Sequence, residues 1–155
     1  MKDVLRDIVI EFHRSDLPAL ILRNVEIPQL PEGVRKACVF IGMRRVGKTY
    51  LMYQDMSRKL SQGLAKEKIL YLNFEDDRIS RFALDDFQTL LDVYFQLYPQ
   101  FASANDLSFY FDEIQNIEGW ERFIRRLHDQ GNKIYVTGSN ATLFSQELGT
   151  RLTGR

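Results

Sequence analysis

Ala37-Cys38-Val39-Phe40-Ile41-Gly42-Met43-Arg44-Arg45-Val46-Gly47-Lys48-Thr49 runs from five apolar residues into a loop bounded by two glycines, then a lysine and a threonine. The apolar run has the length and composition of a strand buried on both faces, as strands of parallel sheets are. Leu51, Met52, Met56 and Leu60 follow at helical spacing, and Gly63 ends that pattern. Strand, glycine loop and helix in this order turn successive backbone N–H groups inward at the positive end of a helix, which is a cradle for phosphate oxygens.

Residues 42–49 match G-x-x-x-x-G-K-[ST]. Average residue usage yields that match by chance in on the order of one chain per few hundred of this length, before the strand and helix context is required. Nucleotide-binding candidates are therefore Gly42, Arg44, Arg45, Val46, Gly47, Lys48, Thr49 and the adjoining Tyr50. Lys48 is expected to reach the β- and γ-phosphates, and the Thr49 hydroxyl to take one position on Mg2+, a hard cation that prefers oxygen. Arg44 and Arg45 leave two readings open, a lean toward phosphate or a solvated or carboxylate-paired loop arginine.

The rest of the chain alternates in the same way. Val4, Leu5, Ile8, Val9 and Phe12 form one face of a helix that ends before Asp16 and Pro18, and residues 20–27 suit a short strand before Pro28, Pro31 and Gly33. Further strands are expected at 68–74, 107–111 and 133–136. A helix carrying Leu84, Phe87, Leu90, Leu91, Tyr94 and Phe95 stops by Pro99; another carries Trp120, Phe123, Ile124 and Leu127, and a last one Leu143, Phe144 and Leu148. The expected fold is α/β, a three-layer sandwich around a mainly parallel sheet. Residues 1–34 read as a lead-in helix and segment, and 35–155 as the core domain.

Residues 107–113 make a mostly apolar strand that ends in Asp112 and Glu113, where open parallel sheets bind ligands; this is the Walker B pattern. Asp112 would complete the Mg2+ coordination begun by Thr49, and Glu113 would polarise the attacking water. Neighbouring strand residues face opposite sides, so the two carboxylates are expected to separate metal from base. Thr137-Gly138-Ser139-Asn140 ends the fourth strand with small polar side chains. Ser139 is the candidate sensor of γ-phosphate or water, and Ser139 or Asn140 would equally serve as a helix N-cap.

The 155 residues carry 21 Lys+Arg and 21 Asp+Glu, so the balance of charge does not call for nucleic acid or an anionic membrane as partner. A hydrophobic share of 45% and a charged share of 27% place the chain among folded globular proteins, and no stretch approaches a membrane span. Cys38, the single cysteine, reads as a small core hydrophobe and suits a reducing, cytoplasmic compartment. His13 and His128 lack ligand-like spacing, and no zinc site is expected.

Four pieces together resemble the AAA-type branch of P-loop ATPases, and more narrowly a prokaryotic family whose ATPase domain is usually followed by a C-terminal domain of unknown function. They are residues 42–49, Tyr71-Leu72-Asn73-Phe74-Glu75-Asp76-Asp77, residues 109–115 with their D-E-I-Q ending, and Thr137-Gly138-Ser139 with Leu152-Thr153-Gly154-Arg155. The resemblance implies ATP and Mg2+ as ligands, the sheet order 5-1-4-3-2, a helical lid, and an arginine after the sensor strand that acts on a neighbour's nucleotide in an oligomer. Arg155, or else Arg151, is the candidate for that arginine, with a plain surface arginine as the other reading. A sequence that ends at Arg155 is expected to stop short of the fifth strand and the lid. The strand at 37–41 would then be an apolar edge, and residues 20–27 are its candidate cover.

The resemblance implies ATP hydrolysis coupled to a protein partner or to the C-terminal domain. The alternative is a nucleotide-dependent switch with slow or no hydrolysis. A small-molecule phosphotransferase is disfavoured by the lack of an acceptor signature. A GTPase is disfavoured because Asn132-Lys133-Ile134-Tyr135 lacks the aspartate that reads guanine.

Overall fold

A computed structural model of the chain describes residues 1–19, 21, 24, 27, 37–43 and 47–139. The elements are α1 (Lys2–Arg14), β1 (Ala37–Ile41), α2 (Lys48–Ser61), β2 (Ile69–Asn73), α3 (Asp86–Leu97), β3 (Ser108–Asp112), α4 (Trp120–Asp129) and β4 (Lys133–Gly138). The four strands form one parallel sheet in the order β1-β4-β3-β2. That is the α/β sandwich and the 1-4-3-2 portion of the strand order expected from the sequence. The strand suggested at 20–27, the helix at Leu143–Leu148, and the cover proposed for β1 fall outside the described residues or almost wholly so.

Period-two alternation divides each strand between the two faces of the sheet. Leu70, Leu72, Phe109, Phe111, Ile134 and Val136 face a core closed by α1, α3 and α4. Cys38, Ile69, Tyr110 and Tyr135 face the other way, against Met52 and Met56 of α2. Helices therefore cover both faces. The central strands β3 and β4 are buried almost throughout, and the outer strands β1 and β2 less so. Phe87 of α3 stacks on Phe123 of α4 at 4.0 Å between ring centroids, and burying a ring of that size contributes about 1.5–3 kcal/mol.

Two glycines set helix starts. Gly47, at φ 86°, turns the chain into α2. Gly119, at φ 78°, opens α4 in a conformation that favours glycine, and a Cβ there would crowd a Leu84 methyl at 3.2 Å. Leu84 itself precedes α3 in a turn rather than joining its stripe.

The helix α2 departs from the simple apolar stripe. Asp55 is fully buried against the sheet, whereas Leu51 and Leu60 are only half-buried. The Asp55 carboxylate accepts from Tyr110 Oη at 2.6 Å, pairs with Lys59 Nζ at 3.1 Å and also takes the Arg58 guanidinium. Lys59 lies 3.9 Å from the centre of the Tyr135 ring, and its burial pushes the amine down to about 8 despite Asp55. A buried carboxylate is tolerable only with such partners.

At the outer edge of β2, α1 is tied by His13, whose Nε2 lies 2.8 Å from the Ile69 carbonyl and whose Nδ1 lies 2.9 Å from Tyr98 Oη. Among the described residues no helix is long and apolar enough to cross a membrane.

Candidate functional site

Parallel strands all end on the same side of a sheet, so β1, β3 and β4 deliver their last residues to one place. From β1 the chain continues through Gly42 and Met43, and it re-enters at Gly47 to begin α2 with Lys48 and Thr49. Thr49 Oγ1 donates to Asp112 Oδ2 at 2.6 Å. The two residues assigned from sequence to one cation are thus in direct contact, although 63 positions separate them.

Asp112 is 1% exposed, and both of its oxygens are engaged. Oδ2 also accepts from Tyr71 Oη at 3.2 Å, and Tyr71 in turn accepts from Tyr53 Oη at 3.2 Å. Burial, followed by the adjacent Asp112 charge, pushes the Tyr71 phenol up, so this hydroxyl stays protonated and able to donate. Oδ1 takes the Thr137 hydroxyl from β4. Thr137 Oγ1 also accepts from the Glu113 backbone N–H at 2.8 Å, so one side chain spans both carboxylate positions.

Glu113 is not a continuation of the strand. It sits at φ 54°, ψ 44°, the one non-glycine residue in the left-handed region among those described. The expectation that strand alternation would send Asp112 and Glu113 to opposite faces does not hold, because the left-handed turn brings Glu113 round to the same site. Its Oε1 lies 3.3 Å from Lys48 Nζ. Its Oε2 accepts from Gln115 Nε2 at 2.6 Å and from Ser139 Oγ at 3.1 Å. Burial raises the carboxyl, but the hydrogen bonds from Gln115, Lys48 and Ser139, with the Lys48 charge, outweigh it and hold the group below the ordinary carboxylate range.

Lys48 is 5% exposed and donates to the carbonyls of Gly42 at 2.9 Å and Met43 at 3.1 Å. With Glu113 these partners occupy all three ammonium hydrogens, so an incoming phosphate oxygen must displace one of them. Tyr50 is 49% exposed and meets Tyr53 edge-on at 6.1 Å. Arg44, Arg45, Val46, Asn140, Arg151 and Arg155 lie outside the described residues.

Lys48, Thr49, Asp112, Glu113 and Ser139 therefore converge. Thr137 belongs to the strand end from which the sensor was expected, and Tyr71 and Gln115 to motif pieces with no role assigned; all three hold the two carboxylates in position. Thr137 offered the signal of a hydroxyl near the end of an otherwise apolar strand, whereas Tyr71 is mid-strand in β2 and Gln115 lies in the turn after β3. The donor set of Thr49 and Asp112 is all oxygen, which suits Mg2+; among the described residues no cluster of three or more His, Cys, Asp or Glu side chains stands ready for a metal. Two protein ligands, with phosphate oxygens and water completing the shell, is the usual arrangement for Mg2+ at nucleotide phosphates.

A family model described as an AAA domain matches residues 34–155. An uncharacterized protein of Methanocaldococcus jannaschii is 37% identical over 136 residues, which cover 88% of this chain and 28% of that protein. An uncharacterized protein of Haemophilus influenzae is 41% identical over 119 residues, covering 76% of this chain and 28% of its own length. The chain thus spans about a quarter of the curated relatives it matches. No solved structure matches it at a significant level. On the family match and the site that accompanies it, the chain belongs to the AAA-domain family, whose members are ATPase-like nucleotide-binding domains.

Proposed function

We propose that the chain binds ATP with Mg2+ and hydrolyses its terminal phosphoanhydride bond. The observation that carries this reading is the convergence of Lys48, Thr49, Asp112 and Glu113 within hydrogen-bond or ion-pair distance at the carboxyl ends of the strands. Thr49 and Asp112 would hold the Mg2+, which supplies positive charge to the phosphate oxygens as negative charge builds on them. Lys48 would leave one of its present partners for the β- and γ-phosphates, while backbone amides of the loop cradle the chain of phosphates. Glu113 would accept the proton of the attacking water as the new P–O bond forms and the bond to ADP breaks.

A second reading is a nucleotide-dependent switch that hydrolyses slowly. It is favoured by the engagement of Glu113 with Lys48, Gln115 and Ser139, which leaves the carboxylate committed before any water arrives. On either reading, work or signalling would pass to a protein partner, another copy of the chain, or the remainder of a longer polypeptide, since the relatives are several times longer. Cys38, buried and with its thiol pushed up to about 11 by burial, suits a reducing cytoplasmic setting.

The test is nucleotide binding and phosphate release by the chain and by two variants. Lys48→Ala should weaken ATP binding itself. Glu113→Gln should leave binding nearly unchanged and slow hydrolysis by about 10²–10⁴-fold. Unaltered ATP affinity in Lys48→Ala would rule the reading out.

A further inference from the structure

Gln115 occupies the short turn Ile114–Asn116 immediately beyond β3, two residues after Glu113. Its Nε2 donates to Glu113 Oε2 at 2.6 Å and to Ser139 Oγ at 3.1 Å, which uses both amide hydrogens. A carboxylate only accepts, so the nitrogen of the amide must face Glu113; the flipped amide would press two oxygens together. The remaining atom, Oε1, is therefore an oxygen, and it is buried with no hydrogen-bond donor among the described residues.

Buried acceptors almost always have a partner, and one left over at a ligand site points to a donor that arrives with the ligand. The Lys48 hydrogens are already taken. ATP offers no donor among its phosphate oxygens, which accept only. A water bound between the γ-phosphate and Glu113 has two hydrogens, of which the carboxylate accepts one. Oε1 shares its carbon with the nitrogen that donates to Glu113 Oε2, which keeps it within a few ångström of that carboxylate and of any water the carboxylate holds.

We propose that Gln115 is a further catalytic residue of this site: its amide nitrogen fixes the side chains of Glu113 and Ser139, and its carbonyl oxygen accepts a hydrogen bond from the attacking water. The inference rests on the hydrolytic reading above. It assigns the orientation of the water to two acceptors, Glu113 and Gln115, with the proton passing to the carboxylate and the second hydrogen held by the amide. A glutamine that orients water toward a γ-phosphate is an economical device, because a neutral acceptor adds no charge beside the phosphate.

The experiment compares the chain with Gln115→Met, which has similar volume and no hydrogen-bonding amide, and Gln115→Asn, which keeps the amide and draws it back by one methylene. Turnover and the affinities for ATP and for ADP with aluminium fluoride, a mimic that holds an in-line water, are measured on each. Both variants are expected to bind ATP within about twofold of the parent, to lose about 10²-fold in kcat, and to lose most of the preference for ADP–aluminium fluoride over ADP. A side chain that mattered only for packing would be replaced well by Asn, so parent-like kcat and fluoride affinity in Gln115→Asn overturn the assignment. Parent-like values in Gln115→Met do the same. A parent chain with neither turnover nor a preference for the fluoride complex overturns the hydrolytic reading as well, which separates the two failures.

Discussion

Thr49 Oγ1 donates a 2.6 Å hydrogen bond to Asp112 Oδ2, joining the first turn of α2 to the last residue of β3. A cation entering here must take the place of that hydrogen bond, with the two oxygens that made it becoming its ligands. Thr49→Ala and Asp112→Asn are accordingly expected to lower the apparent Mg2+ affinity of the nucleotide complex by at least ~10-fold, while ATP binding in the presence of a chelator stays close to the parent's. Titrating Mg2+ against nucleotide binding checks this, and an unshifted Mg2+ midpoint in both variants would remove Mg2+ from this position.

Tyr71 acts on the same carboxylate from β2, through its 3.2 Å bond to Oδ2. Tyr71→Phe keeps the ring in the α2-facing core and deletes only the donor. The expected result is a stability loss of about 1 kcal/mol in urea denaturation and a fall of about 10-fold in Mg2+ affinity. A variant that loses stability without any change in Mg2+ response would leave Tyr71 a packing residue alone.

His13 gives α1 a pH-dependent anchor. The Ile69 carbonyl can only accept, so Nε2 carries the proton and Nδ1 accepts from Tyr98; burial then lowers the imidazole below its model-peptide value of 6.5, against the opposing pull of the Ile69 hydrogen bond. Below that value the unfolded chain takes up a proton that the folded one resists, so this contribution to stability is present above about pH 6.5 and is lost as the pH falls. Urea midpoints at pH 7.5 and 5.5 should fall further for the parent than for His13→Gln; equal falls would show that His13 does not couple to folding.

The left-handed backbone at Glu113 separates stability from chemistry. Glu113→Ala and Glu113→Gly both delete the carboxylate and its hydrogen bonds, but only glycine adopts φ 54° without a Cβ penalty. The glycine variant is expected to be the more stable of the two by about 1 kcal/mol, and both are expected to be inactive. Denaturation curves that coincide would mean that the strain is relieved elsewhere.

Much of this architecture is visible in the residues themselves. The bounds 37–41 for β1 follow from an unbroken apolar run ended by glycine, and the helices α3 and α4 from aromatic residues at three- and four-residue spacing. The site was legible where a residue type has few other uses in its position, as with Lys48, Thr49 and the Asp112-Glu113 pair. It was illegible where geometry decides. Thr137 looks like any strand-end threonine until β4 is paired beside β3, and Tyr71 looks like any strand aromatic until its hydroxyl meets Asp112. Asp55, placed on the apolar face of α2, becomes intelligible only with Tyr110 and Lys59 packed around it.

The pairing of β1 with β4 bears on how the chain acquires its grip on a ligand. Ala37 lies beside Ile134, so the strand that leads into Gly42 finds its neighbour among the described strands only after every other one has been made. During synthesis from the N-terminus, β1 would precede β4, its partner among the described strands, while β2 and β3 emerged. Closing so long a stretch of chain costs entropy before any contact repays it. A nascent chain halted before Lys133 would therefore hold the Lys48 and Asp112 side chains without the strand that sits between β1 and β3, and the proposed nucleotide site would be completed only late.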